Sequence, residues 1–123
     1  LQRLDYLRPL ILFVSGAMGA AGVALAAAAS HGGDTVFLGS ASTMCLAHGP
    51  VLLGLYLGHR SFRTATTAAL VLGLGTIVFA SDLVSRHYIG VRLFPMAAPL
   101  GGSLMMLGWL LVAAGAFLRV REI

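Results

Sequence analysis

ATTAALVLGLGTIVFASDLVSRHY, residues Ala65–Tyr88, carries no ionisable group from Ala65 to Ala80, then gathers Ser81, Asp82, Ser85, Arg86 and His87. An apolar helix of about 20 residues spans the hydrocarbon core of a bilayer, so the segment has the length of a membrane crossing. A carboxylate near the end of such a helix is costly and faces protein or water in preference to lipid. Asp82 and Arg86 are four residues apart, which sets them one turn apart on one helical face, where they can pair. The remaining segments are expected to cover that face.

Composition agrees with this reading. Of the 123 residues, 59% are hydrophobic and 10% charged, whereas a soluble domain carries about 25% charged residues. Mean hydropathy is +0.94. The chain reads as an all-α integral membrane protein, one domain of four transmembrane helices in a compact bundle. Its net charge of +4 comes from eight arginines without a lysine. They stand singly or in pairs between apolar runs, the pattern of interfacial anchors and not of a nucleic-acid-binding face. Cys45 is alone, so no intrachain disulfide is available.

Around the central stretch, three further spans follow from the hydrophobic runs: 9–29, 36–58 and 99–118, with 65–88 as the third in order. Leu10–Ala29 is too long for a signal h-region of ~7–15 residues and reads as a retained span. Pro9 suits a first helical turn. Gly16, Ala20, Ala24 and Ala28 recur every fourth residue, a small-residue stripe suited to close helix contact; Gly19 and Gly22 widen it. His31, Gly32, Gly33 and Asp34 make a polar turn. The second span opens with Ser40, Ser42, Thr43 and Cys45 ahead of His48. Such hydroxyls can bond the carbonyls of the preceding turn. Pro50 removes an N–H and predicts a kink beside His48. His59, Arg60 and Arg63 form the next connection. Pro95 and Pro99 predict an irregular approach, with helix settling in near Pro99. In the last span Gly101, Gly108 and Gly115 recur every seventh residue, a seam for a left-handed crossing. Trp109 falls near mid-span and is expected to pack against neighbours or lipid, and Arg119 and Arg121 mark the exit.

Four spans place both termini on one side. Arg3, Arg8, Arg60, Arg63, Arg119 and Arg121 fall there, with Arg86 and Arg92 opposite. The positive-inside rule then makes the termini cytoplasmic. His31, Asp34, Arg86, His87 and Arg92 share the other face, and Asp82 lies roughly 9 Å below it at ~1.5 Å per residue. His48 is near the middle, without a second histidine at its level, which weighs against haem. Cys45 and His48 alone fall short of the four ligands of structural zinc. No cofactor or metal is expected. No hydrolase spacing, phosphate loop or carboxylate pair is visible, so the chain reads as non-enzymatic.

GAMGAAGVALAAAASHG, MCLAHGPVLLGL, GLGTIVFASDL and APLGGSLMMLGWLLVAAGA, in that order over 15–116, resemble the four-span proteins of domain of unknown function 423, which include the transmembrane protein 256 group. The resemblance implies a four-helix membrane fold. It aligns His31 and His48 with the family's first- and second-span histidines, and Pro99, Gly101 and Gly102 with a proline–glycine–glycine element. Asp82 stands where many members carry serine, and Pro50 where unbroken helix is usual. The family carries no established activity to transfer.

Two functional expectations remain. The first is an accessory or interaction subunit of the bacterial inner membrane, partnered by lipid and by other membrane subunits or a second copy of itself, beside a larger bioenergetic complex. The second is an oligomeric transporter or channel component with Asp82, Arg86, His31 and perhaps His48 around a polar cavity. An intramembrane carboxylate favours the second by default; its local arginine partner favours a structural role.

Overall fold

Alanine and leucine are the commonest residues of the apolar runs, and both are strong helix formers. The computed structural model describes residues 2–33 and 36–118. Asp34, Arg119, Arg121 and the side chain of Arg3, which enter the charge and depth assignments above, lie outside the described residues. Four helices account for most of the chain: α1 (Arg8–Gly32), α2 (Phe37–Leu57), α3 (Ala65–Tyr88) and α4 (Ala97–Ala114). A 3₁₀ segment, Gln2–Leu7, precedes α1, and another, Gly115–Phe117, continues α4. All four long helices have the length and apolarity to cross a membrane.

The boundaries differ from the expected spans where a local signal was missed. α1 runs on through Ser30, His31 and Gly32, because nothing stops the alanine run before Gly33, which takes φ 72°. Glycine adopts that left-handed conformation without a Cβ clash and closes the helix. α3 has the expected limits. α4 begins two residues before Pro99: Met96 takes the left-handed region at φ 68°, and Leu100 N–H donates to its carbonyl at 2.9 Å. Pro99 then sits in the first turn, where backbone N–H groups have no helical acceptor. The helix therefore forms around it. α2 likewise continues through Pro50.

α1 packs along α2, α4 along α3, and the α2–α3 contact joins the two hairpins; α1 touches α3 only lightly. Of the most apolar stretch of each helix, 50% is buried in α3 and 44% in α2, against 22% in α1 and in α4. The inner pair is thus α2 and α3, flanked by α1 and α4. Leu38, Leu52, Leu72, Thr76 and Asp82 are the largest side chains removed from the surface.

The α1–α2 seam is built by hydroxyls reaching carbonyls. Ser15 Oγ donates to the Gly49 carbonyl at 2.8 Å, and Ser42 Oγ to the Gly22 carbonyl at 2.7 Å. Seven residues along α1 correspond to seven residues back along α2, so the two bonds fix one antiparallel register. Gly49 permits it: a Cβ there would lie 3.3 Å from the Gly19 nitrogen and the Ser15 carbonyl. Ile11, Ser15, Met18, Gly22 and Ala29 are the buried residues of α1, with Leu25 half-buried between them. Their spacing is three and four in alternation, a heptad seam. This corrects the expected packing face. Gly16, Ala20 and Ala24 lie outside the seam and are exposed, and a Cβ added at Gly16 meets nothing within 4 Å.

On α4 the glycine heptad does face its neighbours. A Cβ at Gly101 would lie 2.6 Å from the Phe79 nitrogen and 2.8 Å from the Gly75 carbonyl of α3. One at Gly108 would meet Leu72 Cγ at 2.5 Å, and one at Gly115 would meet Phe62 Cδ2 at 2.5 Å. Thr64, just before α3, adds a hydrogen bond to the Leu111 carbonyl at 2.6 Å.

Candidate functional site

Two polar centres lie within the helices. The first is Asp82, whose side chain is 0% exposed. A buried carboxylate needs a compensating charge and hydrogen-bond donors. Arg86 Nη2 lies 2.8 Å from Asp82 Oδ2, one turn away on α3. The backbone N–H of Leu93 donates to Asp82 Oδ1 at 2.8 Å. The Arg86 guanidinium also lies 5.8 Å from the centre of the Phe37 ring at the start of α2, a cation–π distance. Ser85 Oγ reaches the Val91 carbonyl at 2.7 Å. The end of α3 thus holds down the α3–α4 connection through Asp82 and Ser85, and meets α2 through Arg86.

That connection begins at Gly90, whose φ of 87° turns the chain off the helix. Oδ2 is compensated by the arginine charge alone, since the Nη2 contact lacks hydrogen-bond geometry, and Arg86 Nε is buried without an acceptor. Both carboxylate oxygens are nevertheless engaged, one by a charge and one by an amide. The arrangement ties the α3–α4 connection to the end of α3.

The second centre is His48, 5% exposed on α2. Its Nδ1 lies 2.9 Å from the Met44 carbonyl one turn earlier, and its Nε2 lies 3.1 Å from Trp109 Nε1 on α4. The rings stand 5.8 Å apart at 56°. An indole N–H only donates and a carbonyl only accepts. His48 must therefore be neutral with its proton on Nδ1 and its lone pair on Nε2 turned to Trp109. With both nitrogens used, His48 has no free lone pair for a metal shared with Cys45. Among the described residues, no three of His, Cys, Asp and Glu come together in a metal-ligand arrangement.

The four polar residues singled out in the sequence therefore separate. Asp82 and Arg86 pair; His48 belongs to its own bridge; His31 is exposed at the end of α1. Sequence reading missed Trp109, the Leu93 amide and Phe37. For Trp109 a signal existed. His48 comes 11 residues after the start of α2 and Trp109 12 after that of α4, and both helices start at the same end of the bundle. Depth alone places donor and acceptor at one level.

Replacing Trp109 by phenylalanine keeps an aromatic ring but leaves His48 Nε2 without a donor. The expected loss is about 1–2 kcal/mol of stability in detergent, the usual penalty for one orphaned buried acceptor. Nitrogen-15 spectra of labelled histidine should show a protonated Nδ1 and a bare Nε2 for His48. A protonated Nε2 would contradict the bridge.

No family model, curated protein or solved structure matches this chain.

Proposed function

We propose that the chain is a small non-enzymatic membrane protein of the bacterial inner membrane, with both termini cytoplasmic, acting as an accessory subunit beside larger membrane proteins. The observation that carries this reading is that both intrahelical polar centres are directed at the chain's own groups. Asp82 serves Arg86 and the Leu93 amide, and His48 serves Met44 and Trp109. A transport path needs polar groups available to a moving solute. Large apolar side chains, meanwhile, face outward along the helices, among them Phe13 at 72%, Leu110 at 65% and Val23 at 64% exposure. That surface suits lipid or a hydrophobic partner. The order and spacing of the four segments, with their likeness to domain of unknown function 423, supports the same fold-level reading. The arginine distribution supports the orientation.

One labelled sample tests it. Gly32→Cys places a thiol on an exposed position where a Cβ meets nothing within 4 Å, whereas native Cys45 is buried. An impermeant thiol reagent applied to intact cells should label it from outside. After mild solubilisation the labelled band should migrate on a native gel with a much larger complex. A discrete homo-oligomer favours the transport alternative with Asp82, Arg86 and His31, and absence of outside labelling reverses the orientation.

A further inference from the structure

Arginines stand at both ends of the bundle. At one end Arg86 has its own carboxylate and Arg92 is exposed without an ion pair to a described residue. At the other, where α2 passes into α3, two exposed arginines stand three residues apart. Arg60 and Arg63 are exposed, and neither has a hydrogen bond or ion pair with a described residue. The connection that presents them is ordered. Ser61 N–H donates to the Gly58 carbonyl at 2.8 Å, and Phe62 turns inward to where a Cβ on Gly115 would touch it. Both arginines are therefore exposed on a hydrogen-bonded turn.

The same end holds buried polar atoms without a partner among the described residues. Arg8 bonds the Tyr56 carbonyl through Nη2 at 2.9 Å and lies 4.5 Å over its ring, yet its Nε is buried without a partner, as are His59 Nδ1 and Thr67 Oγ1. The acid described near this end, Asp5, is exposed and makes no ion pair with a described residue. Cations at a membrane boundary that make no ion pair with a described residue complement an anionic surface. Leu57, 72% exposed just ahead of the arginines, supplies apolar surface for an acyl chain next to them.

We propose that the α2–α3 connection binds the headgroup of an anionic phospholipid, with Arg60 and Arg63 contacting the phosphate and Leu57 contacting the chain. This rests on the membrane reading above and adds a ligand class to it. A basic residue near an anionic membrane surface strengthens association about fivefold, so the pair together is worth about 25-fold.

The test uses the full chain in mild detergent, with thermal unfolding followed as phosphatidylglycerol, phosphatidylcholine or inorganic phosphate is added. Phosphatidylglycerol should raise the unfolding temperature; phosphatidylcholine and phosphate should not. Arg60→Gln with Arg63→Gln should raise the phosphatidylglycerol concentration needed for a given shift about 25-fold with unchanged helical content, while Arg92→Gln at the opposite end should leave it unchanged. An undiminished effect in the double variant overturns the proposal. So does an equal loss in Arg92→Gln, which would mean diffuse charge, or an equal shift with phosphate, which would mean a free-anion site. Flotation with vesicles separates the two layers of argument. A chain that does not float overturns the membrane reading itself, and one that floats without a phosphatidylglycerol preference overturns the lipid site alone.

Discussion

Gly101→Ala should lower stability by about 3 kcal/mol, the upper end of the range for overpacking a close-packed interior. Gly102→Ala, one residue along the same helix, should change it by no more than about 0.5 kcal/mol. The contrast follows from what each new methyl would touch. At Gly101 it would lie 2.6 Å from the Phe79 nitrogen, 2.8 Å from the Gly75 carbonyl and 2.9 Å from the Phe79 Cα. All three are backbone atoms of α3, so no rotamer change relieves them and the helices must part. At Gly102 the methyl meets nothing within 4 Å, and alanine is the better helix former. Unfolding in mixed detergent, followed by circular dichroism, measures both. Equal and small effects would mean that α3 and α4 do not approach as closely as Gly75 and Gly101 bring them.

Why one small-residue stripe lies on a seam and the other does not is itself physical. On α4 the glycines stand among Leu, Met and Trp, so their repeat of seven marks a groove by contrast with bulk. On α1 small residues occur on every face, and a repeat of four among them singles out none. The seam there was written in the larger and polar residues: Ile11, Met18 and Leu25, with Ser15, Gly22 and Ala29 between. A serine inside an apolar helix seeks a carbonyl, and Ser15 finds Gly49 across the interface. Ser15 thus marked the packed face where smallness alone did not.

Helix number and the start of α3 were legible because the arginines of the connection give way to an apolar run at Ala65, and its end because the polar group at Ser81–His87 is followed by Gly90. The Asp82–Arg86 pair was legible because it is local, four residues on one helix. The Leu93 amide and the His48–Trp109 bridge are tertiary: each joins groups on different elements, and no periodicity within one segment reports them. The latter needed a comparison of depth between α2 and α4. His31 illustrates the converse. Its place at the same membrane face as Arg86 suggested membership of the polar cluster, but the extension of α1 to Gly32 carries it out to an exposed position.

Asp82→Asn should destabilise the protein, and adding Arg86→Gln should restore part of the loss. Removing one member of a buried ion pair typically costs about 3–5 kcal/mol, because the remaining charge is left uncompensated. Arg86 keeps 22% of its side chain exposed, so water reaches it and the expected cost falls to about 2–3 kcal/mol after that discount. Asparagine can still accept the Leu93 N–H. Asp82→Ala cannot, and should lose about a further 1 kcal/mol together with hydrogen-exchange protection at the Leu93 amide. Protection at Leu93 is the informative signal, since it tracks the α3–α4 connection and not overall charge. The double variant leaves no orphan cation, and its partial recovery would identify the pair as an element of structure. A transporter predicts the opposite division: Asp82→Asn folds as the parent does, keeps Leu93 protected, and loses a proton-coupled flux in vesicles. That combination, with a double variant no better than the sum of its parts, would overturn the structural role. Both roles cannot be primary for the same carboxylate, because one whose oxygens are committed to an arginine and an amide cannot release them in each transport cycle without freeing the connection they hold.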